Sequence, residues 1–414
     1  MVGAPQGYYA ASVPEGPLAR QLSGDIRADI CVIGAGFTGL SAALHGARAG
    51  ARVVVLEAQA VGFAASGRNG GQIHPGHRKE QAYLESWLGV QHARDLWTLS
   101  EEARHLVFDL AREGCDLKRG LVIAAHDAAA SRDLAEDAAH LERNYGYREL
   151  VTMDAATTRA SIGTAAYPAS RLDKGGGHLH PLKFARRLAE GALDAGATLY
   201  DNSRVRAIEG NVVRTDLGSV TAGHIVLATD AFSGALAPHL KPYIAHVESF
   251  IVATAPLSDS TVLPSDVAVA DTRHVLDYYR KSADNRLLFA GRERYWTPPA
   301  DIARLVRPRM LRVFPQLHDT PIEYAWRGTV GITRTRMPHF GRLSERVLFG
   351  HGYSGHGVAL SALGGKALAE AALGKPERFD TLARVPARKF PGGQLLRKPM
   401  VTAALTWLKV VDAL

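Results

Sequence analysis

Cysteine is nearly missing from this chain: Cys31 and Cys115 are the two in 414 residues. No disulfide framework and no CxxC metal site can be built from that pair. Nothing therefore asks for an oxidising compartment, and a cytoplasmic location is the default expectation. Cys31 falls inside an apolar run and reads as a small core residue. Long uninterrupted apolar stretches are missing too, which excludes a conventional membrane-spanning helix. The start, MVGAPQGYYAASVPEGPLARQ, has no basic region followed by an apolar run, so no secretory signal is expected. Basic residues outnumber acidic ones, for a net charge of +8 and a pI near 9.5. They are scattered, however, without a basic block or interleaved aromatics, so nucleic acid is not the expected partner. We read them as solvated faces that also favour an acidic substrate. No Ser/His/Asp arrangement, paired-carboxylate constellation or metal-ligand set appears either.

What the chain does have is a core, with 46% hydrophobic residues over a length that permits two or three domains. It is organised around Ile30 to Glu57, ICVIGAGFTGLSAALHGARAGARVVVLE. A short apolar run meets Gly34, Gly36 and Gly39, an apolar helical segment follows, and a second apolar run ends in Glu57. This is the layout of a βαβ dinucleotide site. Gly34 permits the tight turn, Gly36 leaves room for a pyrophosphate, and Gly39 lets the helix pack against the sheet. The helix N-terminus offers N–H groups to phosphates. An acid at position 57 suits ribose hydroxyls and argues against a 2′-phosphate, hence against NADP. FAD and NAD both stay open on this stretch alone.

The next segment, VGFAASGRNGGQIHPGHRKE, is too glycine-rich for a helix or a strand interior. It follows the second strand at the carboxyl end of the sheet, where ligands bind in such folds. Residues 80 to 113 carry one long helical pattern and residues 127 to 145 another. Gly175 to Pro181 reads as a turn entering a helix from Leu182 to Ala195, with His178 and His180 as candidate ligand contacts. From Ala197 the pattern turns to short strands, and 241 to 297 reads as a mainly antiparallel layer. Near the end, a strand (Val347 to Phe349) runs into GHGYSGHG and then a helix from about Val358 to Leu373. A second helix N-terminus aimed at one site would stabilise the charge that develops at the N1–C2=O edge of a reduced flavin. Residues 391 to 414 close on an apolar-faced helix, expected to pack on the domain, with peripheral membrane contact as the rival.

Together, GYYAAS, VIGAGFTGLSAALHGARAG, FAASGRNGGQ, VLDYYRKS, WRGTVGITRTRMPHFGRL and GYSGHGV resemble the FAD-dependent amine and amino-acid oxidases. That superfamily includes glycine oxidase, sarcosine oxidase and D-amino acid oxidase, and within it the chain is most similar to gamma-glutamylputrescine oxidases. The resemblance implies an α/β (overall α+β) fold: a discontinuous Rossmann-like FAD-binding domain and an antiparallel-sheet substrate domain. The expected boundaries are 1–90, 172–240 and 326–414 for the first, and 91–171 and 241–325 for the second. It places Gly34, Ala35, Gly36, Phe37, Thr38, Gly39, Glu57 and Ala58 on the ADP half. Ser66, Gly67, Arg68, Asn69, Gly70, Gly71 and Gln72 would lie along the flavin and its pyrophosphate. Val205 would meet adenine, and Ala228 and Thr229 would lie near the ADP. Tyr353, Ser354, Gly355, His356, Gly357 and Val358 would meet the flavin N1–C2=O edge.

Relatives with covalent flavin use a cysteine before the last glycine-rich turn, or a histidine after the second strand. Met337 and Arg68 stand in those places here, so noncovalent FAD is expected, with His74 close by. Sarcosine oxidases carry a lysine on a flavin-facing strand that helps oxygen react, and Lys281 is the weak counterpart. The implied reaction is oxidation of a C–N bond in a primary or secondary amine, with oxygen reduced to hydrogen peroxide. Tyr279, Trp326, His178 and Lys281 are the expected substrate-side residues, backed by Tyr278 and Arg280. An amino-acid oxidase would instead need a pocket arginine, for which Arg280, Arg292 and Arg327 are candidates. A quinone-linked dehydrogenase on the same fold, or a non-catalytic flavin-binding protein, would carry the same glycine-rich turns.

Overall fold

The computed structural model describes residues 7–14, 20–294, 299 and 301–391. Its first sheet is built on the strand Gly24–Ile33, which pairs in parallel with Val53–Leu56 on one side and Gly218–Leu227 on the other. The order runs His339–Arg342, Val347–His351, Gly218–Leu227, Gly24–Ile33, Val53–Leu56, Thr198–Tyr200. A short hairpin, Ala207–Glu209 with Val212–Arg214, extends it from Gly218–Leu227. Strands buried on both faces read as continuous apolar runs, and the period of two sorts their residues. Ile30 and Val32 point into a helical layer, whereas Cys31 and Ile33 point into a smaller cluster with Leu56, Ile225 and Phe349.

The helical layer holds Phe37–Arg48, Val90–Leu110, Pro181–Asp194 and Gly357–Ala372. Phe37–Arg48 and Gly357–Ala372 approach at backbone distance. A Cβ on Gly365 would lie 2.1 Å from the Thr38 carbonyl oxygen, and one on Gly39 only 1.8 Å from that of Gly34.

The second sheet is wide and almost wholly antiparallel. Its order is Ile322–Thr333, Ile244–Pro256, Arg286–Arg294, Tyr278–Lys281, Ala268–Asp271, Lys118–Ala125, Ala169–His178, Gln72–Ile73. Leu150–Met153 joins Ala169–His178, and Ala268–Asp271 lies parallel to Lys118–Ala125. One face packs on the helix Ile302–Val313 through Val122, Phe250, Val252, Val269, Tyr279, Leu287 and Phe289. The opposite face looks toward the glycine-rich turns of the first sheet.

Several expectations need correcting. The boundaries at 171/172 and 325/326 cut the continuous strands Ala169–His178 and Ile322–Thr333, both of which lie wholly in the second sheet. The helix Val90–Leu110, expected with the substrate domain, packs in the helical layer of the first sheet. The single helix expected over 80 to 113 is two, Gln81–Leu88 and Val90–Leu110. They part at Gly89, whose φ of 84° no ordinary helical residue adopts. Gly175 to Gly177 form the end of a strand, not a turn. Here the missing side chains let Leu121 and the Lys118 carbonyl come close. The apolar-faced helix expected at the end of residues 391 to 414 lies outside the described residues.

Because the two helices meet through Gly365, Gly365→Val is expected to lower unfolding free energy by roughly 1–3 kcal/mol or more in urea titration. Gly191→Ala, whose Cβ would meet only the tip of Leu44 at 3.4 Å, is expected to stay near the wild-type midpoint.

Candidate active site

The first glycine-rich turn has the geometry its spacing predicts. Gly34 has φ +106°, and a Cβ there would lie 2.8 Å from the Ala228 carbonyl oxygen. Gly36 caps the helix Phe37–Arg48 with no side-chain bond, and the Ser66 hydroxyl accepts from the Phe37 amide at 3.0 Å. Glu57 directly follows the next strand, Val53–Leu56. Its Oε2 accepts from the Ala35 amide at 2.8 Å and its Oε1 from Gln59 at 2.9 Å. Burial pushes this carboxyl upward, partly offset by those amides. Each oxygen retains a lone pair for a hydroxyl of a bound ribose.

The second turn, Ser66 to Gln72, is stitched by Asn69. Its side-chain oxygen accepts from Gly71, and its amide donates to the Ala65 and Ser66 carbonyls. Two carbonyls are held from the second sheet. The Trp326 indole donates to Arg68 O at 3.1 Å, and Arg280 Nε donates to Gly70 O at 2.7 Å. Behind both stands Tyr9. Its hydroxyl accepts from Arg280 Nη2 at 3.1 Å, and its ring meets that of Trp326 edge-on at 5.1 Å. The GYYAAS stretch, singled out in the sequence without a role, thus braces this loop.

The third turn, Gly352 to Val358, enters the helix Gly357–Ala372, again without a side-chain cap. It is fixed by Asp230, whose carboxylate accepts from the amides of Gly352 at 2.7 Å and Gly331 at 3.1 Å. Burial raises this carboxyl above the ordinary range, against the pull of those amides. Asp230 was not singled out in the sequence, although it directly follows Ala228 and Thr229; the available signal was an acid at the end of an apolar strand, and the structure puts it in a left-handed turn (φ +40°). The Tyr353 hydroxyl meets Thr38 Oγ1 at 2.8 Å and so joins the third turn to the first. His356 lies against His74, ring centroids 4.8 Å apart. Burial depresses both imidazoles, His74 to about 4 and His356 well below the ordinary value. Both rings are neutral near pH 7.

These parts surround one cavity of about 680 Å³. Gly36, Phe37, Thr38, Ser66, Arg68, Asn69, Gly70, Gly71, Gln72, Ala228 and Tyr353 to Val358 all line it. Gly34, Ala35, Gly39, Glu57, Ala58, Gly67, Val205 and Thr229 do not, because they shape the turns from behind or sit at the strand ends beyond it. Gly67, for example, lies 2.2 Å by its absent Cβ from Gly62 O, and Val205 packs in the smaller cluster of the first sheet.

The four expected substrate-side residues are not in this cavity. Tyr279 is buried on the other face of the sheet, stacked on Phe289 at 5.3 Å and edge-on to Phe314. Strand alternation gives the cavity to Tyr278 instead, with its hydroxyl 2.9 Å from Ser249 Oγ. The same alternation puts Lys281 on the face of Tyr279. Trp326 is buried among Tyr8, Tyr9 and Leu182, where it holds the loop rather than walling the cavity. His178 is buried at the Asp266 carbonyl, 3.3 Å away, next to the strand pairing with Gln72. His180 caps the helix Pro181–Asp194 by accepting from Lys183. Of the arginines considered for a carboxylate, Arg280 and Arg327 do not line the cavity, and the Arg292 side chain lies outside what is described.

Comparison with known proteins bears on this arrangement. A family model described as FAD dependent oxidoreductase matches residues 29–371. Gamma-glutamylputrescine oxidoreductase of Escherichia coli (strain K12) is 37% identical over 418 residues, covering 98% of each chain. A probable oxidoreductase of Rhizobium meliloti (strain 1021) is also 37% identical, over 98% of this chain and 97% of its own. Among solved structures, glycine oxidase from Geobacillus kaustophilus superposes with a TM-score of 0.73 at 20% identity, covering 84% of this chain and 95% of that one. L-proline dehydrogenase from P. horikoshii gives 0.72 at 21% identity, covering 87% and 99%. The chain belongs to the FAD-dependent oxidoreductase family, and its cofactor is FAD.

The residues present fit that cofactor. Two uncapped helix N-termini open on one cavity, the first turn has backbone space only glycine leaves, and Glu57 has acceptor capacity beside it. Since Tyr9 acts on the second turn through Arg280 and Trp326, Tyr9→Phe is expected to weaken FAD binding roughly 3- to 10-fold, about 1 kcal/mol. Titration of stripped protein with FAD, read by flavin fluorescence, measures it; a constant within twofold of wild type would remove Tyr9 from this role.

The buried rings also make stability depend on pH. His77 is depressed to about 4, against an ordinary 6.5. The unfolded chain then binds more protons than the folded one as pH falls from 6.5 toward 4, so stability is full above 6.5 and declines below it. Each such ring is expected to remove roughly 2 kcal/mol between pH 7 and pH 5. In denaturant titrations at the two pH values, His77→Gln is expected to flatten the decline by that amount.

Proposed function

We propose that this enzyme oxidises the C–N bond of a primary or secondary amine of the gamma-glutamylputrescine type, giving an imine that water hydrolyses to an aldehyde, with oxygen reduced to hydrogen peroxide. The observation that carries the reading is 37% identity, across 98% of both chains, to gamma-glutamylputrescine oxidoreductase. Bound FAD supplies the chemistry, accepting hydride from the carbon next to nitrogen and passing electrons to oxygen.

The chain's own residues position and desolvate. Turns one and three hold the cofactor at two helix N-termini, and the second turn, braced by Trp326 and Arg280, lies beside it. Tyr278 and Ile251, on the second sheet, wall the space in front. An aliphatic ammonium titrates near 10, so it must shed a proton before oxidation. A bond to the Gly76 backbone orients His356, and its Nε2 is buried without a partner among the described residues. This neutral nitrogen accepts a hydrogen bond from the amine and orients it, while burial away from water is what favours the uncharged amine. The noncovalent reading of FAD rests on both attachment positions: Cys31 and Cys115 are buried outside the cavity, and Arg68 stands where relatives with a histidine-linked flavin carry that histidine. Lys281 takes no part in the oxygen step, because it faces away. No described helix is long and apolar enough to cross a membrane, and we place the reaction in the cytoplasm.

An absorption spectrum followed by anaerobic addition of gamma-glutamylputrescine, putrescine, sarcosine, glycine and D-amino acids tests the reading. Bleaching by the first, with colour and peroxide returning on admission of air, is the expected outcome. Bleaching by amino acids alone would make it an amino-acid oxidase. Slow recovery in air would point to another acceptor.

A further inference from the structure

The cavity is longer than the cofactor turns require. Beyond Tyr278 it continues across the face of the second sheet, and the residues met along the way form one cross-strand row. Tyr278 pairs with Ala270, Ala270 with Ile123, and Ile123 with Arg171. Asp173, two residues along the same strand, pairs with Leu121. All six line the cavity. From the cofactor outward the floor is thus aromatic, then small, then aliphatic, and then charged with both signs.

The far end is built, and it is incomplete. Arg171 has 12% of its side chain exposed; its Nη1 donates to Asp137 at 2.5 Å and to the Leu134 carbonyl. Its Nε is buried without a partner among the described residues. Asp173 is 7% exposed. Its Oδ1 accepts from the Tyr147 hydroxyl and from the Gly175 and Gly176 amides, bonds that make no use of Oδ2. A guanidinium edge and a carboxylate oxygen therefore lie on one face, two residues apart, at the end of an apolar track. A buried N–H of a guanidinium left without an acceptor is costly, and a fork-shaped donor matches a carboxylate.

Resting on the amine-oxidase reading, we propose that this arm is a subsite for an α-amino-carboxylate head at the far end of the amine: Arg171 takes the carboxylate, Asp173 Oδ2 takes the ammonium, and Ala270, Leu121 and Ile123 carry the connecting chain. The reach agrees. Three strand steps separate Tyr278 from Arg171, about 14 Å at the usual strand spacing. In gamma-glutamylputrescine about nine bonds join the terminal nitrogen to the glutamyl α-carbon, roughly 11 Å when extended, and the head groups reach beyond it. The substrate class is then a long amine with a zwitterionic tail, oxidised at the end remote from its charges of recognition. Short diamines and acylated amines without the tail lack the contact.

The test compares kcat/KM for gamma-glutamylputrescine and N-acetylputrescine, which share the reacting amine and differ in the head. Wild type is expected to favour the first at least tenfold, and Arg171→Gln to collapse that ratio about tenfold. Gamma-glutamylbutylamide, which has the head and chain and no terminal amine, gives a calorimetric dissociation constant independent of turnover. It is expected to weaken about tenfold in Arg171→Gln and in Ile123→Trp, the latter filling the track with a melting temperature close to wild type. A ratio near one in wild type, or a ratio and affinity unmoved by Arg171→Gln, overturns the subsite while leaving amine oxidation standing. Failure of every amine to bleach the flavin overturns amine oxidation instead, and the calorimetric arm still decides the subsite.

Discussion

Backbone must come close to backbone at three places, and the rest of the structure depends on it. At Gly34 the first strand turns under the Ala228 carbonyl, at Gly39 the helix meets that turn, and at Gly365 the second helix meets the first. Each contact leaves no room for a Cβ. Together they set two helix N-termini beside each other at the carboxyl edge of a parallel sheet, where unsatisfied N–H groups and helix dipoles favour negative charge. The Tyr353–Thr38 hydrogen bond and the Asp230 carboxylate lock the relation between the two. An electron-rich cofactor edge and a pyrophosphate need such a constellation, and side chains alone do not supply it.

The second sheet works as a floor with two unlike faces. One is dry, filled by Tyr279, Phe289, Phe314 and Val252 under the helix Ile302–Val313. The other carries Ile251, Tyr278, Ala270, Ile123 and Arg171 toward the cavity. The division follows from the period of two alone, so a one-residue change of register would exchange the faces completely. Such a sheet can be sealed on one side for stability while the other side varies with substrate.

How much of this was legible in the sequence follows from the same physics. The first βαβ unit could be read almost residue by residue, because its glycines answer local constraints that spacing reveals. The antiparallel layer was legible as a class. Which aromatic of Tyr278 and Tyr279 faces the cavity was not, since two adjacent tyrosines carry no alternation signal and the answer lies in neighbours fixed only by the fold. Gly175 to Gly177 misled for a related reason: three glycines suggest a turn, but here they thin a strand so that Leu121 and Lys118 can approach. Asp230 and the Arg171–Asp173 pair depend on partners far away in sequence, which no local pattern displays. The domain boundaries failed where they fell, inside strands, because composition does not change along a strand that serves one sheet throughout.

Trp326 illustrates what separates a wall from a support. A buried aromatic on a strand near a flavin invites a role in contact with substrate, and its indole nitrogen does make a specific bond. That bond, however, goes to the Arg68 carbonyl, and its ring is shared with Tyr9, Tyr8 and Leu182. Arg280 repeats the pattern at Gly70 O. Two carbonyls of a glycine-rich loop, which would otherwise select among many backbone conformations, are thereby pinned from outside by groups with no view of the cavity. A loop made of small residues is needed so that backbone can approach a flat ring, and such a loop loses much conformational entropy on ordering. Rigidity must then come from a second layer, and the tyrosines, tryptophan and arginine behind this loop are that layer. Changes there should act on how well the cofactor is held before they act on which amine is chosen.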